Sequence, residues 1–425
     1  MTFHPRQRWG EGERERPNGL SRREFLRRMA AIAGSGVALR SLGGVAPVLD
    51  RFSIEDSSKP SIPLPRPNSP VKWPLFNKTI ASNLKPERNA TLKLYNWVAY
   101  INQAVVNSFE KTYKCKVEIT TFNTMEEAVA KLRAGESFDV FVPTVDVLGQ
   151  LIEGKLLRPL NHSYIPNISQ TWSDFTNPWY DQKWQYTVPY TIYTTGIAWR
   201  KDHVPENPYT MKNAWAMPWQ SKYRGKVAIL DDYREGIALG LMKNGIYNLN
   251  TTESSQLSIA TQSLLDLDHL VNLHIDINDY SNVPSGQIWI HEAWSGDMAA
   301  AAGYMPKGVS VDVIGYWFPT DGKGPVGNDT MAVLASGKNP VLAHLFLNYF
   351  LDFHNAVENI SYNGYMQPLT AITPQLLVKE KILPKTLMST VVLPSYFRKG
   401  VGEYQLPAAA DAAWQQAWLQ ISQGI

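Results

Sequence analysis

Acids and aromatic rings recur side by side along this chain. Tyr95-Asn96-Trp97 is followed by Tyr100, and Thr144 by Asp146. Further on come Asp231-Asp232-Tyr233-Arg234-Glu235, then Trp294-Ser295-Gly296-Asp297, then Asn328-Asp329. A carboxylate neutralises positive charge, while a flat ring covers aliphatic carbon and adds cation–π attraction of about 0.5–2 kcal/mol. The same residue types also suit a neutral sugar, or a glycoside-cleaving enzyme built on two carboxylates. Each group has a plainer reading too: Asp297 as a helix N-cap and Asp232 as a turn residue.

Other chemistries find little support. His291-Glu292 has no second histidine at metalloprotease spacing, and His269 and His274, five apart, do not share a helix face. Gly322-Lys323-Gly324-Pro325-Val326-Gly327 fits a glycine-rich phosphate motif only in outline, because Pro325 and the lack of a following helix favour a plain turn. No Walker loop, no G-x-S-x-G elbow, no nucleophile set and no metal set appear, so neither an enzyme nor a cofactor is expected.

The positioning elements follow from hydrophobic periodicity. Strands are expected at 92–97, 116–121 and 138–143, with helices at 103–113 and from Thr124 to about Arg133. Thr124 and Glu127 have capping-box spacing. This alternation implies a parallel sheet, whose ligands bind beyond the carboxyl ends of strands. The acid–aromatic groups fall at such ends. Later strands are expected at 196–200, 227–230, 287–294, 309–316 and 331–335, and helices at 236–243, 256–270 and 340–353. Two α/β units with no linker between them suggest lobes joined by crossing strands.

The chain has 425 residues, 44% of them hydrophobic and only 19% charged, with 14 Trp and 20 Tyr. That length favours two globular units plus appendages. The formal charge of +3 belongs to the N-terminus. Nine of the 41 basic and five of the 38 acidic residues lie in residues 1–50, leaving 32 basic against 33 acidic. A near-neutral body argues against a nucleic-acid partner. The single cysteine, Cys115, precludes an intrachain disulfide.

Ser21-Arg22-Arg23-Glu24-Phe25-Leu26-Arg27-Arg28, followed by an apolar run from Met29 to Leu39, reads as a twin-arginine export leader. The run is short for a membrane span. Its cleavage site is obscure, so an uncut leader could serve as a tether. Residues 51–90, with Pro60, Pro63, Pro65, Pro67, Pro70 and Pro74, read as an extended spacer, and the folded body is expected to begin near Leu92.

From about Leu92 to Gln405 the chain resembles the spermidine/putrescine-binding periplasmic proteins of ABC importers. The resemblance rests on seven blocks in order: Tyr-Asn-Trp at 95–97, Phe-Asp-Val-Phe-Val-Pro at 138–143, Tyr-Thr-Val-Pro-Tyr at 186–190, Asp-Asp-Tyr-Arg-Glu at 231–235, Trp-Ser-Gly-Asp at 294–297, Asn-Gly-Tyr at 363–365 and Gly-Glu-Tyr-Gln at 402–405. It implies a two-lobed α/β periplasmic-binding-protein fold, type II-like, with the ligand cleft between domains joined by hinge strands. Lobe 1 would be 91–196 plus about 328–372, and lobe 2 would be 197–327 plus about 373–425. By the same resemblance Trp97 and Tyr100 flank the ligand chain, and Thr144 is a small hydroxyl residue of the wall. Asp232 and Glu235 would hold one amine, and Trp294 would stack on methylenes. Asp329 would hold another amine, Asp297 matches an acid of putrescine-type members, and Tyr365 and Gln405 would close the pocket. Two positions depart from the family: Asp146 and Gly327 stand where spermidine-type members carry aromatic residues, which implies a thinner and more acidic wall. The implied partners are a small polyamine and the permease subunits of an importer, with the protein exported and monomeric.

Overall fold

The computed structural model describes residues 63–424; the leader and residues 51–62 of the Pro-rich stretch lie outside them. Nine strands are present among the described residues: β1 (Thr91–Trp97), β2 (Lys116–Phe122), β3 (Val140–Phe141), β4 (Thr187–Arg200), β5 (Val227–Leu230), β6 (His274–Asp276), β7 (Ile290–Trp294), β8 (Ile314–Trp317) and β9 (Val326–Val333). They form one hydrogen-bonded series in the order β2-β1-β3-β9-β4-β7-β5-β6, with β8 also on β4.

The series has two parallel ends and an antiparallel middle. β1 runs parallel to both β2 and β3, as the alternating pattern requires. β5 runs parallel to both β6 and β7. Between them β9 and β4 reverse direction. β4 is the strand that joins the two ends. Its first part, Thr187–Thr194, pairs with β9, whereas Thr195–Arg200 pairs with β7 and β8.

Sequence reading found only the second part of β4, because Pro189 and a run of threonines weaken the strand signal before Gly196. The structure admits Pro189 at a register irregularity between Pro189 and Thr191. The start of β4 is fixed by Asp181, which is fully buried. Its carboxylate accepts from the backbone N–H groups of Gln185, Tyr186 and Thr187 and from the Thr187 hydroxyl. Burial still pushes this carboxyl up to about 6.

Two apolar cores flank the series. One includes Leu92, Leu94, Phe109, Phe141 and Phe346 around β1 and β3. The other includes Ile197, Ile229, Leu241, Leu264, Trp414 and Trp418 around β5. Each such side chain contributes about 1.5–3 kcal/mol on leaving water. In the second core, a Cβ at Gly236 would lie 2.5 Å from the Trp418 ring, so the absent side chain lets the C-terminal helix close on Tyr233–Lys243.

The expected helix at 103–113 is Gln103–Tyr113, capped by the Asn102 side chain. The capping box at Met125–Arg133 is only half formed: Thr124 accepts from Glu127 N, while the Glu127 carboxylate reaches back to Asn123 N. The apolar run from Pro340 is two helices, Pro340–Phe350 and Phe353–Asn363, because Asp352 caps a new start.

Two expectations about organisation change. The Pro-rich stretch is extended from Pro63 onward, but it is not a free spacer. Trp73 is buried and donates from Nε1 to Tyr180 O at 2.7 Å; Val71 N bonds Trp179 O, and Asn77 bonds the carbonyls of Lys155 and Leu157. Proline supplies the extended backbone, while the apolar and amide side chains between the prolines lay it on the body. The folded body therefore begins well before Leu92, since Trp73 belongs to the same core as β1. The segment 373–400 adds Leu377, Leu383, Leu387, Val391 and Val392 to this core while bonding to β8 and the turn before it, Ser389 to Tyr316 O at 2.8 Å and Thr386 to Asp312 at 2.9 Å. Leu406, Trp414 and Trp418 belong to the core around β5.

Candidate ligand-binding site

The carboxyl ends of β1, β3, β5 and β7 deliver the candidate residues. After β1, Tyr100 is buried and donates to Asp329 Oδ2 at 2.5 Å, with Thr191 Oγ1 at 2.6 Å. Asp329 lies on β9 opposite Thr191 of β4, and Thr144 bridges it from the other side. Its other oxygen, Oδ1, is buried and has no partner among the described residues. Burial dominates its titration and raises it to about 7; the Tyr100 hydrogen bond opposes this, while Asp146 and Glu235 add to it.

The opposite wall starts at β5. Asp232 caps the helix Tyr233–Lys243, accepting from Arg234 N and Glu235 N at 2.8 and 3.2 Å. Burial, then the charges of Glu126 and Glu235, push it up to about 8. It is thus both the local cap and a wall acid. Glu235, in the first turn, is buried; its Oε1 accepts from Thr195 Oγ1 and from Trp294 Nε1, each at 2.9 Å. Glu235 Oε2 has no protein partner, and burial holds this carboxyl above its ordinary range.

Asp297 is not an N-cap. It sits inside the short helix Ser295–Ala299, which begins after Trp294. It shares a side-chain hydrogen bond with buried Asp279, whose own titration is raised by burial and then by the Asp297 charge. Tyr365 joins this pair to the rest. Its ring meets Tyr100 edge-on at 4.7 Å, and its phenol responds to Asp297, Tyr100, Asp279 and Asp329. A Cβ at Gly296 would fall 2.3 Å from the Tyr365 ring, so glycine there is what lets the ring approach.

Trp97, half-buried, tilts against Phe122 at 4.6 Å and leaves Nε1 unpartnered among the described residues. Gln405 is buried with Oε1 unpartnered, next to Gly149. Asp146 lies in a 3-10 turn after Thr144; burial raises it, while the Arg234 charge and the Thr144 hydroxyl lower it. The carboxyls of Asp146, Glu235 and Asp329 therefore share one electrostatic environment, with Asp232 joined through Glu235 and Asp297 through Tyr365.

The thinner wall expected from Gly327 is not what the structure shows. Tyr193, opposite Gly327 on β4, puts its ring into that space: a Cβ on Gly327 would come within 2.4 Å of it. Tyr193 is the one residue of β4 that is not fully buried, and its phenol is raised by burial, then by Asp329, Glu235, Glu403 and Asp146. An aromatic ring thus covers Gly327 from the neighbouring strand.

The family assignment rests on comparison with known sequences. Residues 104–382 match the model of the bacterial extracellular solute-binding protein family. This chain belongs to that family. Among named relatives, the spermidine/putrescine-binding periplasmic protein 1 of Haemophilus influenzae is 29% identical over 281 residues, covering 65% of this chain and 75% of that protein. The spermidine/putrescine-binding periplasmic protein of Escherichia coli is 25% identical over 334 residues, covering 78% and 91%. A solved Listeria monocytogenes structure named for a spermidine/putrescine ABC transporter superposes with a TM-score of 0.69 at 25% identity, covering 78% and 98%.

The candidate site also gathers residues that the sequence did not single out. Tyr193 was hidden in a strand half that carried no clear signal. Arg234 and Glu403 lay inside blocks quoted for other residues. Glu403 is raised well above its ordinary range by burial and by Glu235, Asp232 and Asp146, with Arg234 opposing. Asp279 gave no signal at all. His291 and Glu292 are both fully buried: His291 lies 3.6 Å from Asp276, and Glu292 accepts from Leu230 N, leaves Oε1 without a partner among the described residues, and is raised by burial and then by the Glu235 charge.

Proposed function

We propose that this solute-binding protein captures a spermidine- or putrescine-like polyamine between Tyr100, Asp329 and Tyr193 on one side and Asp232, Glu235 and Trp294 on the other. Delivery would be to the permease of an ABC importer, with the ligand released unchanged. The observation that carries this is the pair of unpartnered oxygens, Asp329 Oδ1 and Glu235 Oε2, on buried carboxylates beside phenol and indole rings. Leaving such groups without a counter-charge is costly. An alkylammonium repays that cost, while the rings cover the methylenes between its charges. A neutral sugar has no use for so many clustered acids.

The acids repel one another, so drawing the walls together is unfavourable until a polycation lies between them. Closure then follows ligand binding by differential affinity for the closed state. The names of the Haemophilus influenzae and Escherichia coli relatives point to the same ligand class. The twin-arginine pattern at Arg22-Arg23 supports export of the folded chain, with the leader retained or removed.

The test is calorimetry with putrescine and spermidine on the wild type and on Asp329→Ala. Losing one member of a buried charge pair is expected to weaken binding by roughly 2–5 kcal/mol. Unchanged affinity would remove Asp329 from the site, and absence of any amine binding by the wild type would overturn the reading.

A further inference from the structure

The segment 402–404 is bonded on both sides of Glu403 by the side chain of Asn250. Asn250 donates from Nδ2 to Gly402 O at 2.8 Å, and its Oδ1 accepts from Tyr404 N at 2.7 Å. The amide therefore brackets Glu403, bonding the residue on either side as a neighbouring strand would. Tyr404 O in turn accepts from Arg234 Nη1 at 2.9 Å. This frame fixes Glu403 beside the first turn of the helix Tyr233–Lys243, yet its Oε1 is buried and has no partner among the described residues.

Arg234 does not supply that partner. Its two terminal nitrogens are committed to neutral oxygens, Tyr404 O, Leu249 O at 3.0 Å and Asn250 Oδ1 at 2.7 Å, while its buried Nε bonds no oxygen among the described residues. It also stacks over Trp414 at 5.0 Å. None of the ion pairs within 4 Å among the described residues involves Arg234. One positive charge thus stands near Asp146, Asp232, Glu235 and Glu403, which act on one another. Two further buried oxygens here, Glu235 Oε2 and Gln405 Oε1, also lack partners.

We propose that Glu403, framed by Asn250 and grouped with Asp146 and Asp232, is a specificity-determining ligand contact that receives an additional ammonium group and so favours triamines and tetraamines over diamines. This rests on the polyamine reading given above. Asp329 and Glu235 serve a first pair of charges. Tyr404 O, next to Glu403, is bonded by Arg234, which lies in the same helical turn as Asp232 and Glu235, and Gln405 lies against Gly149, three residues past Asp146, so the Glu403 group adjoins the same acids. A diamine satisfies the first pair and leaves this group unpaired; a third ammonium completes it.

The experiment titrates putrescine, spermidine and spermine into the wild type, Glu403→Gln and Asp146→Asn by calorimetry, with the melting temperature of each ligand-free protein recorded. Spermidine and spermine affinity is expected to fall 10-fold or more in both variants, by the arithmetic of a lost charge-assisted contact, while putrescine affinity changes by less than about 2-fold. The ligand-free melting temperature should hold or rise, because a repelling buried acid has gone. Equal losses for all three amines, or a melting temperature that drops with them, would make Glu403 a support for Arg234 and overturn this inference alone. If the wild type binds no amine, the polyamine reading falls as well. Asp146→Asn keeps the test open should Glu403→Gln not fold.

Discussion

Tyr100 and Asp329 are 229 residues apart in sequence, yet the phenol donates to the carboxylate across 2.5 Å, with Thr191 completing the triangle. The hydrogen bond holds Asp329 partly toward its charged form against the pull of burial. Tyr100→Phe removes it without emptying the space. Polyamine affinity is expected to fall by about 1.5–3 kcal/mol, the range for a hydrogen bond to a charged group. Calorimetry checks this, and the melting temperature should change little.

The pH dependence has a fixed sign. Asp329 and Asp232 titrate near 7 and 8 in the folded protein, against about 3.9 in an unfolded chain. The folded state binds these protons more tightly. Their stabilising contribution is therefore full below about pH 4 and is lost as pH rises toward 7 and 8. The ligand-free protein is expected to melt several degrees lower at about pH 8.5 than at about pH 5.5. Saturating spermidine should remove most of that fall, because its ammonium groups keep their protons up to about pH 10, as lysine does. Binding should tighten over the same interval and release protons, seen as heats that vary with the buffer.

Trp294, proposed to cover the ligand's methylenes, also donates a hydrogen bond. Its indole N–H is one of two hydrogen bonds to Glu235 Oε1. Trp294→Phe keeps a ring but leaves Glu235 with fewer partners and a weaker cation–π face. An affinity loss of roughly 1–2 kcal/mol is expected by calorimetry.

Gly327 and Tyr193 are coupled by contact. Gly327→Ala puts a methyl into the Tyr193 ring and is expected to destabilise by about 1–3 kcal/mol in urea unfolding. In a Tyr193→Ala background the same substitution should cost much less. The difference is a direct interaction energy, and strict additivity would show that the two do not touch.

The extended segment ahead of β1 is part of the folded body. Trp73→Ala is expected to cost roughly 3–5 kcal/mol by denaturant unfolding, as for a buried tryptophan. A chain starting at residue 91 should be correspondingly less stable than one starting at residue 63.

Much of this was legible because it is local. Gln103–Tyr113 announces itself by periodicity, and Val227–Leu230 by an unbroken apolar run. The rim position of Trp97, Asp232 and Trp294 follows from placing strand ends before any contact is known. What sequence could not disclose depends on partners distant along the chain. Pro189 disguises half of β4, because its tolerance depends on an irregular register with β9. Gly327 looks like a gap until Tyr193 is seen above it. The prolines between 63 and 74 suggest detachment until Trp73 is found beneath Tyr180. Glu403 is one acid among 38 until Asn250 is seen clamping both of its neighbours.

Thr195 is where β4 trades β9 for β7, and its hydroxyl is bonded to Glu235. The same place is tied to the two other crossings: Thr195 N bonds Pro325 O, and Val326 N bonds Val401 O. The carboxylate proposed to meet the ligand is thus bonded at the residue where β4 changes partners. On that proposal, charge neutralised at Glu235 would bear directly on the junction of β4 with β9 and the segment at Val401.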